Sequence, residues 1–156
     1  GNDSGLGALG TPWRTIAKAN AILRAGDTVF LRGGEYNADI IRPANSGTAG
    51  NEIVYMGYPG ETAVITNAKA VGGVAIVLDG RSYIVIDNLI FDGKNAFRQA
   101  NIRAWASLNA TTYSVISNCK FKYAEGWSGI SLNDVARYNK IINNIIDNCG
   151  AWVRED

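Results

Sequence analysis

An asparagine set among β-rich residues returns three times in this chain. It is Asn88 in Ile86-Asp87-Asn88-Leu89-Ile90-Phe91, Asn118 in Ile116-Ser117-Asn118-Cys119-Lys120-Phe121, and Asn144 in Ile142-Asn143-Asn144-Ile145-Ile146-Asp147. The spacings are 30 and 26 residues, within the range of structural repeats. A leucine stands upstream of each: Leu78, Leu108 and Leu132. The units share one order: strand, turn, strand, Asn corner, strand. A unit this small cannot bury its own apolar side chains, whereas stacked units bury them in one continuous core. Asn tolerates the left-handed region and bonds to nearby backbone, so it suits a sharp corner. Stacked in register, the three amides can also bond to one another. Unrelated Asn turns are the alternative, but they leave the joint recurrence of leucine, strand and Asn unexplained.

At 156 residues the chain is expected to form one domain. A formal charge of +1 gives no global field to recruit a polyanion. Lys120, Lys122 and Lys140 lack the interleaved aromatics and basic excess of a nucleic-acid site, so nucleic acid is not an expected partner. The absence of His removes Ser-His-Asp and Cys-His catalysis and any imidazole metal ligand. No run approaches the ~18 apolar residues of a membrane span. The chain opens at Gly1 without a charged-then-apolar leader, as a processed secreted chain or a piece of a longer solenoid does. Cys119 and Cys149 could form a disulfide or remain two buried thiols.

Residues 1–10 read as a flexible leading segment. Gly5-Leu6-Gly7-Ala8-Leu9-Gly10 matches the dinucleotide-binding pattern, but that fingerprint needs a preceding strand and there is no room for one. A helix is expected over 11–26, with Thr11 as N-cap, Pro12 at the first helical position and Gly26 beyond the end. Ile16, Ala19, Asn20 and Leu23 form one face, which suits a cap over the first coil. Residues 27–156 are then coils. Strands are expected at Asp27 to Arg32, Ile40 to Ile41, Ile53 to Met56, Ala63 to Ile65 and Val74 to Leu78.

The run Pro12-Trp13-Arg14-Thr15-Ile16, Ala19, Gly26-Asp27-Thr28-Val29 and Arg32-Gly33-Gly34-Glu35-Tyr36 resembles the amino-terminal capping region of right-handed parallel β-helix proteins. These are the pectate lyase-like polysaccharide lyases and their relatives. The segment Ile53 to Gly60 and the Asn corners are similar too, so the resemblance covers nearly the whole chain. It implies an all-β fold: a right-handed parallel β-helix, or solenoid, with an amino-terminal α-helical cap. It also implies a secreted or cell-surface protein that binds or cleaves acidic polysaccharide.

With three strands per coil, the first strand of each repeat is Val74 to Leu78, Ile102 to Leu108 and Gly129 to Leu132. Alternation points Leu78, Leu108 and Leu132 inward with Ile76, Ala106 and Ile130. It points Val77, Ser107 and Ser131 outward, and before them Ala75, Trp105 and Gly129. In the family this face is the floor of the sugar groove. Trp105 offers a flat plate for a sugar ring. Arg98 and Arg137 can meet uronate carboxylates bidentately. Ser107, Ser131, Asn109 and Asn133 complete the expected substrate contacts. Family lyases use Lys or Arg as base and carboxylate-bound Ca²⁺, which carries Lys94 and Arg103 forward as bases and Asp79 and Asp134 as metal ligands. Asp79 and Asp134 lie two coils apart, ~10 Å at the strand spacing, too far for one ion to bridge directly. Turn chemistry and solvated surface charge are the alternative reading of all these residues. No aspartate cluster of the hydrolase kind appears, so elimination is expected over hydrolysis. A second class of function also fits: an exposed coil end can pair with another copy, giving a structural or filament subunit.

Overall fold

The computed structural model describes residues 1–37, 39–66, 74–93, 105–108, 110–123, 129–132 and 135–149, with β8 described by its backbone alone. A short helix, α1 (Ile16–Ile22), precedes strands β1 (Thr28–Leu31), β2 (Gly34–Asn37), β3 (Ile53–Gly57), β4 (Ala63–Thr66) and β5 (Val74–Val77). There follow β6 (Ile84–Asp87), β7 (Ile90–Asp92), β8 (Trp105–Ser107), β9 (Val115–Ser117) and β10 (Lys120–Lys122). The last are β11 (Ile130–Ser131), β12 (Lys140–Ile142) and β13 (Ile145–Asp147). They make a parallel β-solenoid of three sheets: β1-β3-β6-β9-β12, β2-β4-β7-β10-β13 and β5-β8-β11. Every named pairing between strands is parallel.

The core follows from period-2 alternation. In the first sheet Tyr55, Ile86 and Ile116 share one register position and are fully buried. In the second, Ile65, Phe91 and Phe121 do the same. The Phe91 and Phe121 rings stack at 4.8 Å, 13° from parallel. Burial of each such side chain stabilises the fold by ~1.5–3 kcal/mol. Leu78 and Leu108 are buried as expected, but Leu132 is 47% exposed, because among the described residues no further coil lies over β11. For the same reason Ile141, Ile142, Ile145 and Ile146 remain exposed. Ala75, expected outside, is buried, because the pairing slips between Val74 and Ile76 and turns the extra residue inward.

The corner column also differs from expectation. Asp87 pairs with Ser117, and Ser117 with Ile142. The next position therefore aligns Asn88, Asn118 and Asn143, not Asn144. These three share φ of 53°, 52° and 53°, the left-handed conformation that Asn tolerates. Asn144 falls one place later, in register with Leu89 and Cys119. A second ladder flanks the start of β6, β9 and β12. There Tyr83, Tyr113 and Tyr138 all have positive φ, and their rings stack at 5.1 and 4.9 Å.

The helix is shorter than 11–26. Thr15 is its N-cap, its hydroxyl accepting the Lys18 N–H at 3.2 Å. The chain before it is taken up elsewhere. Thr11 bridges back to Ala8, and Asp3 accepts the N–H groups of Arg14 and Thr15. Asn20 ties the helix to the coils. Its Nδ2 donates to the Ile40 carbonyl at 2.8 Å, and its Oδ1 accepts from the Arg42 N–H and the Tyr55 hydroxyl. β2, which no sequence signal marked, opens on Gly34 at φ 137°. Of the expected strand at Ile40 and Ile41, only an Ile41–Ile76 bridge forms.

Cys119 and Cys149 form no disulfide. Cys119 follows the Asn corner before β10, whereas Cys149 lies beyond the end of β13. Burial pushes the Cys119 thiol up to about 12, so it stays protonated.

Candidate functional site

The third sheet carries the face that the sequence marked. Val77, Ser107 and Ser131 share one register position. The Ile41–Ile76 bridge adds a further rung and sets Arg42 beside Val77. Paired backbone bonds fix that rung: Ile41 N–H to the Ala75 carbonyl, and Val77 N–H to the Ile41 carbonyl, both at 2.9 Å. Val77 itself is only 8% exposed, so it is no open floor.

The chain turns sharply after β5. Asp79 has φ 35° and Gly80 φ 77°, and the Arg81 N–H closes the turn on the Leu78 carbonyl. The turn brings the Asp79 carboxylate 3.3 Å from Nη2 of Arg42, an exposed ion pair. Arg81 folds back along the same edge, and its Nε donates to the Ala44 carbonyl at 3.0 Å. The guanidinium nitrogens beyond Nε have no hydrogen bond to described residues. Two coils further on, Arg137 pairs with Thr112 through a parallel bridge, and its Nε donates to the Val135 carbonyl at 3.3 Å. Three arginines thus lie along the turn edge of one sheet.

Sequence reasoning had placed Arg137 and Asp79 here. It missed Arg42 and Arg81. Arg81 was legible in the turn signal Asp79-Gly80-Arg81; Arg42 was not, because its rung depends on a bridge between residues 35 positions apart. Ser131 lies in β11, half-buried. Trp105 and Ser107 lie in β8, in register with Val74 and Val77. Lys94, Arg98, Arg103, Asn109, Asn133 and Asp134 lie outside the described residues.

Of the expected calcium ligands, Asp79 alone is described, and its oxygen faces the Arg42 guanidinium. The other Asp79 oxygen could serve a Ca²⁺ ion, which would take its remaining five to seven oxygens from elsewhere. Among the described residues no three acidic or thiol side chains converge on a metal position.

A profile described as the Pel9A-like, right handed beta helix region matches residues 1–156. The chain belongs to the Pel9A-like β-helix family. Its fold is similar to that of a rhamnogalacturonan lyase (TM-score 0.58, 15% identity), over 96% of this chain and 52% of that one. It is also similar to the GH136 lacto-N-biosidase of Eubacterium ramulus (TM-score 0.54, 15% identity), over 91% of this chain and 33% of that one. The chain therefore spans about half the length of the first protein and a third of the second. A search of curated protein sequences found no match. Identity at this level speaks for the shared solenoid, not for a shared site.

Proposed function

We propose that this Pel9A-like chain is extracellular, binds an acidic polysaccharide along the turn edge of its third sheet, and acts on it by β-elimination. The observation that carries the reading is the row Arg42, Arg81 and Arg137 on that one edge. Arginine meets a carboxylate with two parallel N–H groups, and it does so without needing a global positive charge. Ser131, with Trp105 and Ser107 of β8, would lie along the same saccharide, as would Arg98, Asn109 and Asn133.

Elimination removes the proton α to the uronate carboxylate, forms the ring double bond and expels the glycosidic oxygen, which leaves with a proton. A base must take the first proton, and positive charge must stabilise the enolate that develops. Lys94 or Arg103 is proposed as the base. The arginines of the edge hold the carboxylate and so favour the enolate.

The test is absorbance of unsaturated product on polygalacturonate and on alginate, with and without Ca²⁺. Product should form, and Lys94→Ala or Arg103→Ala should lower its rate at least a hundredfold by removing the base, ~10²-fold being typical of general-base loss. No product on either polymer, with no binding to them, would contradict the proposal. A second reading, a structural subunit assembling through coil ends, draws on the exposed isoleucines of β12 and β13. Sizing at micromolar concentration separates the two, since end-to-end stacking gives polymers that grow with concentration.

A further inference from the structure

The cap holds a second cleft, away from the third sheet. It has a volume of about 360 Å³ and lies between the leading segment and β1, within the size range of small-ligand sites. Three aromatic side chains line it: Trp13, Phe30 and Tyr58. Phe30 is 47% exposed, and meets Tyr58 edge-on with ring centroids 5.8 Å apart. The indole of Trp13 is held in place. Its Nε1 donates to the Gly5 carbonyl at 2.9 Å, and a Cβ on Gly7 would stand 2.4 Å from the ring. Only glycine there lets the leading segment lie against the indole. A plate fixed in this way loses little entropy on binding.

The polar wall holds one ion pair and a further carboxylate. The Arg32 guanidinium lies 4.7 Å from the Tyr58 ring centroid, and its Nε donates to Glu61 at 2.8 Å. The Gly33 N–H donates to the same carboxylate at 2.6 Å. Glu61 thus engages both Nε and Nη2 of Arg32, whereas Asp79 engages only Nη2 of Arg42, so Arg32 has no free two-nitrogen edge on that side for a uronate. Its Nη1 makes no hydrogen bond to described residues. Asp27 stands on the same wall.

Aromatic faces beside a paired arginine and a carboxylate, with no unpaired cation among the described residues of the wall, match the two sides of a neutral pyranose, an apolar C–H face and a rim of hydroxyls. We infer that the cleft of Trp13, Phe30 and Tyr58 is a binding site for a neutral sugar residue, distinct from the arginine edge. A purely apolar peptide side chain would use the rings but not Arg32 Nη1 or the second oxygen of Asp27, whose first accepts the Arg24 N–H at 2.7 Å. The inference rests on the saccharide reading above for its ligand class and on the cleft for its location.

The test is a ¹H–¹⁵N titration of the whole chain with methyl β-D-galactopyranoside and methyl α-L-rhamnopyranoside, and separately with trigalacturonate. At least one neutral glycoside should shift the Trp13 indole N–H and the amides of Thr28 to Arg32. Phe30→Ala and Tyr58→Ala should each weaken that binding about tenfold, and Arg42→Ala with Arg81→Ala should leave it unchanged. No shift at the cleft with either glycoside, or shifts that survive both aromatic substitutions, would overturn the inference. So would trigalacturonate binding to the cleft in preference to them. Loss of uronate binding at the edge alone leaves this site standing and counts only against the proposed function.

Discussion

Asn144 reaches back one coil to Cys119. Its Oδ1 accepts the Cys119 N–H at 2.8 Å, and its Nδ2 donates to the Ile116 carbonyl at 2.8 Å. Asn139 does the same for Ser114 and Thr111. An inward-register Asn thus takes up backbone groups of the coil beside it. Asn144→Ala should cost ~1–2 kcal/mol in urea unfolding, the usual loss when a part-buried donor and acceptor go unmet. Asn143→Gly should be nearly neutral, because Asn143 has φ 53° and glycine adopts that conformation freely. Equal effects at the two positions would contradict the register.

Asn20 joins the cap to the first coils through three side-chain hydrogen bonds. Asn20→Ala should lower stability by about 2 kcal/mol or more, because the Ile40 carbonyl, the Arg42 N–H and the Tyr55 hydroxyl then lack their partner. Amide exchange should rise first in α1 and at Arg42. Uniform exchange across the solenoid would show that the cap is not a separable unit.

The Phe91–Phe121 stack spans two coils of the core. Phe121→Ala should cost ~3–5 kcal/mol as a buried cavity opens, and Phe121→Leu much less. Thermal melts of the two variants check the order.

The Arg32 guanidinium and the Gly33 N–H hold the Glu61 carboxyl down, at about 2 against an ordinary 4.5. A depressed carboxylate stabilises the fold fully above its unfolded value, and that contribution is lost as pH falls towards the folded one. The melting temperature should therefore drop between pH ~4.5 and ~2 more steeply in the wild type than in Glu61→Gln. The pair is exposed, so the difference should be small and should shrink in high salt. Parallel pH profiles would place the stabilisation elsewhere.

The stacked architecture was legible because period-2 alternation and a recurring corner survive in any register. The details were not, for physical reasons. Asn143 and Asn144 are adjacent and identical, so only strand pairing tells the corner from the inward residue. The bulge that buries Ala75 leaves no mark in composition. Thr11-Pro12 reads as a helix start, but Asp3 and Ala8 take those residues into the leading segment. Arg42 reached the candidate edge through a long-range bridge that no local pattern encodes. Arg137 and Asp79 were found because they sit in turns whose residue types announce them.

The most direct measurement of the central claim is trigalacturonate binding followed by titration calorimetry, for the wild type, Arg42→Ala, Arg81→Ala and the double variant. The account predicts binding that weakens on loss of either arginine, by roughly 10-fold each for a charge-assisted contact, and that falls further with salt. Binding of wild-type strength in the double variant, or no uronate binding by the wild type at all, would contradict it.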